Sequence, residues 1–151
     1  MTISQPTLPA LPCMCASFRR VSRALTQRYE QAFRPLGLRA TQFTILQALS
    51  LAAGVTQGEL GEILAMDSTS LTRTLAIMLR QRWITARPGK DRRERRLQLA
   101  SGGKTQLQRA LPLWEEVQSR LRHQLGASPW ENLLQLTYQV TKSVKAQGDS
   151  L

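Results

Sequence analysis

The stretch TQGELGEILAMDSTSLTRTLAIMLRQRW, Thr56 to Trp83, holds two helix-start signals so close together that few folds accommodate both. Thr56 with Glu59 three residues on has the spacing of a capping box, in which hydroxyl and carboxylate satisfy each other's backbone amides. It opens a short helix with Leu60, Ile63 and Leu64 on one side. Asp67 and Ser68 are cap-type residues for the next helix, whose apolar stripe is Leu71, Leu75, Met78 and Leu79. Two short helices joined through Ala65-Met66-Asp67-Ser68 predict a helix-turn-helix. The second helix of such a unit sends small polar and basic side chains outward from its first turns, and Ser68, Ser70, Thr72 and Arg73 occupy those positions. Serine and threonine are also ordinary first-turn residues, so this helix alone leaves their role open.

The residues that follow narrow the choice. Trp83-Ile84-Thr85 and Arg96-Leu97-Gln98-Leu99 predict two short strands, joined through Pro88-Gly89 and a charged run. That run holds Arg87, Lys90, Arg92, Arg93, Arg95 and Arg96, opposed only by Asp91 and Glu94. Cations this close repel one another and gain little from two carboxylates, which points to a polyanionic partner over a merely solvated hairpin tip. The whole chain agrees, with 21 Lys and Arg against 10 Asp and Glu and a net charge of +11. Because the cations gather on a hairpin instead of lining one helix face, double-stranded DNA is expected and a membrane surface is not. A basic hairpin after a helix of this kind is a winged helix.

The flanks are helical. Residues 1–13 read as an extended arm, with three prolines and no charge in the first twelve positions. Phe18, Val21, Leu25 and Tyr29 recur at helical spacing over about 14–36, with Arg19, Arg20, Arg23 and Arg28 on the outer face. Thr41 is the expected cap of a helix carrying Phe43, Leu46 and Leu49 and ending near Ala53-Gly54. Leu107, Leu111, Trp114, Gln118, Leu121 and Leu125 form a near-heptad seam on a helix from about Gly103, and Ser128-Pro129 starts another with Leu133, Leu136, Val140 and Val144. Helices this long outlast a small winged-helix core, so their surplus apolar face packs on a second copy of the chain, on the first helix, or on both. The expected fold is a single domain over 1–151, mainly α with a small β-wing: a winged helix-turn-helix lobe over about 38–100, with dimerisation helices over about 14–36 and 103–146.

LRATQFTILQAL, the run TQGELGEILAMDSTSLTRTLAIMLRQRWITARPGKDRRERRLQLASGGK and the heptad helix after it resemble the MarR family of dimeric winged-helix transcriptional regulators, from about Cys15 to Val144. The most specific part is the Asp-x-Arg wing element, Asp91-Arg92-Arg93, followed by Leu99-Ala100-Ser101-Gly102-Gly103. The family's usual threonine is Ala100 here, so the cap of the next helix is expected from Ser101. The resemblance implies a homodimer whose recognition helices enter successive major grooves of a pseudo-palindromic operator while a wing arginine reaches the minor groove. Repression is the family default. By that carry-over Arg93 is the minor-groove arginine and Asp91 the carboxylate that holds its guanidinium, leaving Lys90, Arg92, Arg95 and Arg96 for phosphates. A non-specific architectural DNA binder is the alternative the charge alone would allow.

The run CASFRRVSRALTQRYEQAFRPLGL from Cys15 resembles the subgroup of that family that senses organic hydroperoxides through a cysteine at the start of the first helix. That implies Cys15 as the sensor and Tyr29 as a tyrosine hydrogen-bonding its sulfur; where the subgroup has further tyrosines this chain has Arg19 and Ala40. A thiol at a helix start near Arg19 and Arg20 is oxidisable, and Cys13 could resolve it within the chain or across to a second subunit. Two ordinary thiols in a loose arm are the other reading, and the family's other option is a small aromatic or phenolic effector. No cofactor and no metal are expected, since two cysteines and a distant His123 fall short of the four ligands of a structural zinc. No phosphate loop or nucleophile elbow suggests an enzyme. Without a signal-like or spanning apolar run, a cytoplasmic chain is expected.

Overall fold

The computed structural model describes residues 12–91 and 93–148. Of the expected arm only Pro12 and Cys13 fall within them; Arg92 falls outside. Helix α1 spans Met14–Phe33 and passes into a 3-10 turn, Arg34–Leu36, closed by Gly37 at φ 60. The continuous helix expected over 14–36 thus divides where Pro35 and a left-handed glycine end it. Helix α2 spans Ala40–Leu51. The expected cap, Thr41, lies inside it. Gln42 Oε1 accepts from the Arg39 amide at 2.9 Å, and Glu30 of α1 accepts from the Ala40 amide at 2.9 Å. A tertiary carboxylate and a side-chain amide therefore fix this helix start two residues earlier than local pattern suggests, with Arg39 in the cap position.

The lobe continues with a two-residue strand β1, Val55–Thr56, helix α3, Gln57–Leu64, helix α4, Ser68–Arg80, and strands β2, Ile84–Pro88, and β3, Arg95–Leu99. The sheet is antiparallel with order β1-β3-β2; Ile84 faces Leu99, Pro88 faces Arg95, and Val55 faces Leu97. β1 is absent from the sequence pattern, because two residues carry too little alternation. Pro88, expected in the turn, ends β2, a position where its missing amide costs no ladder bond.

The chain divides into two compact units, Met1–Ala110 and Leu111–Leu151. In the first, Phe33, Leu38, Phe43, Ile45, Leu46, Leu49, Leu60, Leu71, Leu75, Met78, Ile84 and Leu97 form the buried core. The final helices are α5, Ser101–Leu125, and α6, Ala127–Gly148. Ser101 is the first helical residue rather than the cap, since the Lys104 amide bonds to the Ala100 carbonyl at 3.0 Å. The first unit's part of α5 is tied down by Gln106, whose Nε2 donates to the Leu36 carbonyl at 2.8 Å. In the second unit, the rest of α5 meets α6 through Gly126, at φ 88, and an Arg122–Glu131 pair at 3.4 Å. There α6 leaves Leu133, Leu134, Leu136, Tyr138 and Val144 exposed.

Candidate nucleic-acid interface

Both caps of the helix-turn-helix form as the sequence predicts. Thr56 Oγ1 accepts from the Glu59 amide at 3.2 Å, and Glu59 Oε2 accepts from the Thr56 amide at 2.7 Å. Asp67 Oδ1 accepts from the Ser70 amide at 2.8 Å. The turn between the helices closes with Ala65 at φ 50, its amide and that of Met66 returning to α3 carbonyls. Cap bonds favour the ionised carboxylates. The Thr56 amide, then its hydroxyl, holds Glu59 below its ordinary pKa, and the Ser70 amide and hydroxyl do the same for Asp67. A depressed folded pKa contributes stability above the unfolded value, lost as pH falls through the folded one. The melting temperature is therefore expected to fall between about pH 5 and pH 3, and less steeply in Asp67→Asn plus Glu59→Gln, which keep acceptor oxygens without titrating. Unfolding scans across that range check this; identical slopes in both proteins would refute it.

With Asp67 as the cap, the first turns of α4 present Ser68, Ser70, Thr72 and Arg73 at the surface, all exposed. Leu71, Leu75 and Met78 anchor the opposite side. Arg73 joins no ion pair among the described residues. Thr72 is engaged: its hydroxyl donates to the Ser68 carbonyl at 2.7 Å and accepts from Gln57 Nε2 at 2.7 Å. Gln57 had no place in the expected site. As the first residue of α3 it reads only as a helix former, and its partner lies fifteen positions away.

α4 hands over to the wing through a tight end in which Arg82 stands at φ 57 and the Trp83 amide bonds to the Met78 carbonyl at 3.0 Å. At the tip the Gly89 amide donates to the Glu94 carbonyl at 2.7 Å, and Lys90, Asp91, Arg93 and Arg95 are exposed, as is Arg87 on β2. The expected pairing of Asp91 with the Arg93 guanidinium is not formed. Asp91 Oδ1 instead accepts from the Arg93 backbone amide at 3.2 Å, a shorter reach in a turn than the end of an arginine side chain. Arg96 also differs from a free phosphate ligand. Its Nη1 donates to the Gly54 carbonyl at 2.8 Å and its Nη2 pairs with Glu94 at 2.7 Å, so it fastens the wing to the loop before β1. Arg92 lies outside the described residues.

Both cysteines are exposed at the start of α1. Arg19 Nη2 donates to Cys15 Sγ at 3.6 Å, so the residue replacing a subgroup tyrosine itself contacts the sulfur. Tyr29 stacks on Phe33 with centroids 6.0 Å apart. Fourteen positions further along one helix, it stands about 21 Å in rise from Cys15, so a bond between them needs two chains. Among the described residues no group of three or more His, Cys, Asp or Glu could hold a metal ion, and no helix is long and apolar enough to cross a membrane.

The sequence model of the MarR family matches residues 36–94. A structure of the M. tuberculosis transcriptional regulator MosR in complex with DNA is similar at a TM-score of 0.80 and 34% identity, over 89% of this chain and 97% of that one. A mutant of MarR from E. coli complexed with operator DNA is similar at a TM-score of 0.77 and 25% identity, over 84% of this chain and 92% of that one. Among curated proteins, the uncharacterized HTH-type transcriptional regulator YwoH of Bacillus subtilis is 27% identical over 74 residues, 49% of this chain and 54% of its own length. The chain thus spans about half the length of that curated relative.

Proposed function

The chain belongs to the MarR family of winged-helix transcriptional regulators, and from that premise we propose that it is a sequence-specific double-stranded DNA-binding repressor acting as a homodimer on a pseudo-palindromic operator. The observation that carries this reading is one lobe in which a capped helix presents Ser68, Ser70, Thr72 and Arg73 and is followed directly by a wing tip of exposed cations, Lys90, Arg93 and Arg95. The relatives complexed with DNA support the same use. Short side chains on a helix suit base edges in a major groove, while wing arginines suit phosphates and the negative potential of a narrow minor groove. The apolar side chains exposed on α6, with Met14, Phe18 and Val21 on α1, support a second copy as the partner.

Selecting bound sequences from a random duplex pool tests the whole reading. Inverted half-sites about one helical turn apart are expected. A pool that returns no sequence, or affinity within tenfold of that for random duplex, would identify an architectural binder instead; specific regulators exceed non-specific binding by about a thousandfold or more. Arg93→Ala is expected to weaken binding about tenfold on every duplex and to make the salt slope shallower by about one. Unchanged affinity and salt dependence would remove Arg93 from the minor groove.

Release is assigned to oxidation of Cys15, with a small effector as the other route. A hydroperoxide would convert the Cys15 thiol to a sulfenic acid, leaving an alcohol, and condensation with a Cys13 thiol would then give a disulfide and water. The Arg19–Cys15 contact supports this assignment. An open groove of about 490 Å³ lined by Leu49, Leu99, Leu107, Gln98 and Lys104 supports the effector route. Peroxide is expected to release DNA from the wild type and not from Cys15→Ser; equal release from both would exclude cysteine sensing.

A further inference from the structure

We propose that Gln57, on the first helix of the helix-turn-helix, reads a base of the target, an adenine, with Thr72 as the residue that positions its amide. The inference rests on the DNA-binding reading above and deepens it.

The hydrogen bonds decide which group is available. Thr72 has one hydroxyl proton, and it goes to the Ser68 carbonyl at 2.7 Å along α4. What remains on that oxygen is a lone pair, so the group facing it at 2.7 Å must be a donor, which fixes Nε2 and not Oε1 of Gln57 against Thr72. The carboxamide is then oriented from one side, leaving a second N–H and the Oε1 acceptor next to each other. Neither has a protein partner among the described residues. Gln57 itself is half-buried, and Thr72 is exposed on the second turn of α4 beside Ser68 and Arg73.

An adjacent donor and acceptor in one plane match the major-groove edge of adenine, whose N7 accepts and whose N6 amino group donates; guanine offers two acceptors there and would face Oε1 unfavourably. Thr72, with its proton engaged, cannot donate to a base. The hydroxyl expected from sequence to be a reader thus acts through its neighbour. Holding the glutamine in one rotamer before binding also lowers the entropy lost in the complex.

The test is selection from a random duplex pool with the full chain, Gln57→Ala, Thr72→Val and Thr72→Ser, alongside affinity for the wild-type site at several salt concentrations and unfolding midpoints for each variant. The wild type is expected to enrich adenine at one position of each half-site. Gln57→Ala should lose that preference and no other, with about tenfold weaker binding to the wild-type site and an unchanged salt slope. Thr72→Val should relax the same position while Thr72→Ser retains it, a pattern that loss of helix stability would not produce. Unchanged base preferences in Gln57→Ala would overturn the proposal and leave DNA recognition standing. So would an equal loss on all duplexes with a salt slope shallower by about one, which would make Gln57 a phosphate ligand. A wild-type chain that enriches no sequence overturns this proposal together with the reading beneath it.

Discussion

Gly103→Ala is expected to destabilise the chain by about 3 kcal/mol, lowering its melting temperature by roughly 6–12 °C. Glycine in a helix normally costs about 1 kcal/mol against alanine, so propensity alone predicts a gain. The site reverses the sign. A Cβ at 103 would stand 1.9 Å from the Trp83 carbonyl oxygen and 3.3 Å from Leu46 Cδ2. That oxygen belongs to backbone held from both sides: the Trp83 amide bonds to Met78 at 3.0 Å, and the oxygen accepts from the Ala100 amide at 2.9 Å. Relief requires α5 to lift off the base of the wing, opening the end of β2 and β3. DNA affinity of the folded protein should fall with it. Gly58→Ala is the control, since its Cβ would meet only Thr56 Oγ1 at 3.9 Å; it should be neutral or slightly stabilising. Thermal unfolding of both variants checks the contrast. A Gly103→Ala protein melting within about 2 °C of wild type would show that the close approach is not needed.

The same neighbourhood shows how far local pattern carries. The caps at Thr56 and Asp67 were legible because hydroxyl, carboxylate and amide all lie within three residues of one another. The wing strands were legible to within a few residues from Ile84 to Leu99, because alternation there coincides with burial of Ile84 and Leu97. Thr41 failed as a cap because the deciding acceptor, Glu30, is ten positions away on another helix. β1 has no local signature because only its pairing with Leu97 and Arg96 defines it. Charge counting makes the wing arginines look alike and the resemblance singles out only Arg93; geometry separates Arg96, bound to Gly54 and Glu94, from the exposed Arg95 that the sequence groups with it. Composition likewise cannot show that Thr72 and Gln57 share a hydrogen bond, the one contact that changes which side chain is free to meet a base.

Removing the ring of Phe33 should cost still more than Gly103→Ala. Phe33 is 0% exposed, ends α1, and lies 4.7 Å by ring centroid from Phe43 of α2 and 6.0 Å from Tyr29. Aromatic rings at these separations add to the area they bury, and phenylalanine-to-alanine changes in closed cores cost about 3–5 kcal/mol. Against a total stability of about 5–15 kcal/mol, Phe33→Ala removes between about a fifth and all of it. Phe33→Leu, which keeps most of the volume, should cost about 1 kcal/mol. Urea unfolding checks both, with an unchanged slope showing that stability alone has moved. The cost reflects what the ring joins. α1 carries Cys15 at one end and Phe33 at the other, and α2, on which Phe33 packs, carries Leu46 against the start of α5. A Phe33→Ala protein as stable as Phe33→Leu would mean that α1 is fastened to the lobe elsewhere, through Glu30 and the Ala40 amide. The aromatic cluster would then be filler rather than the join.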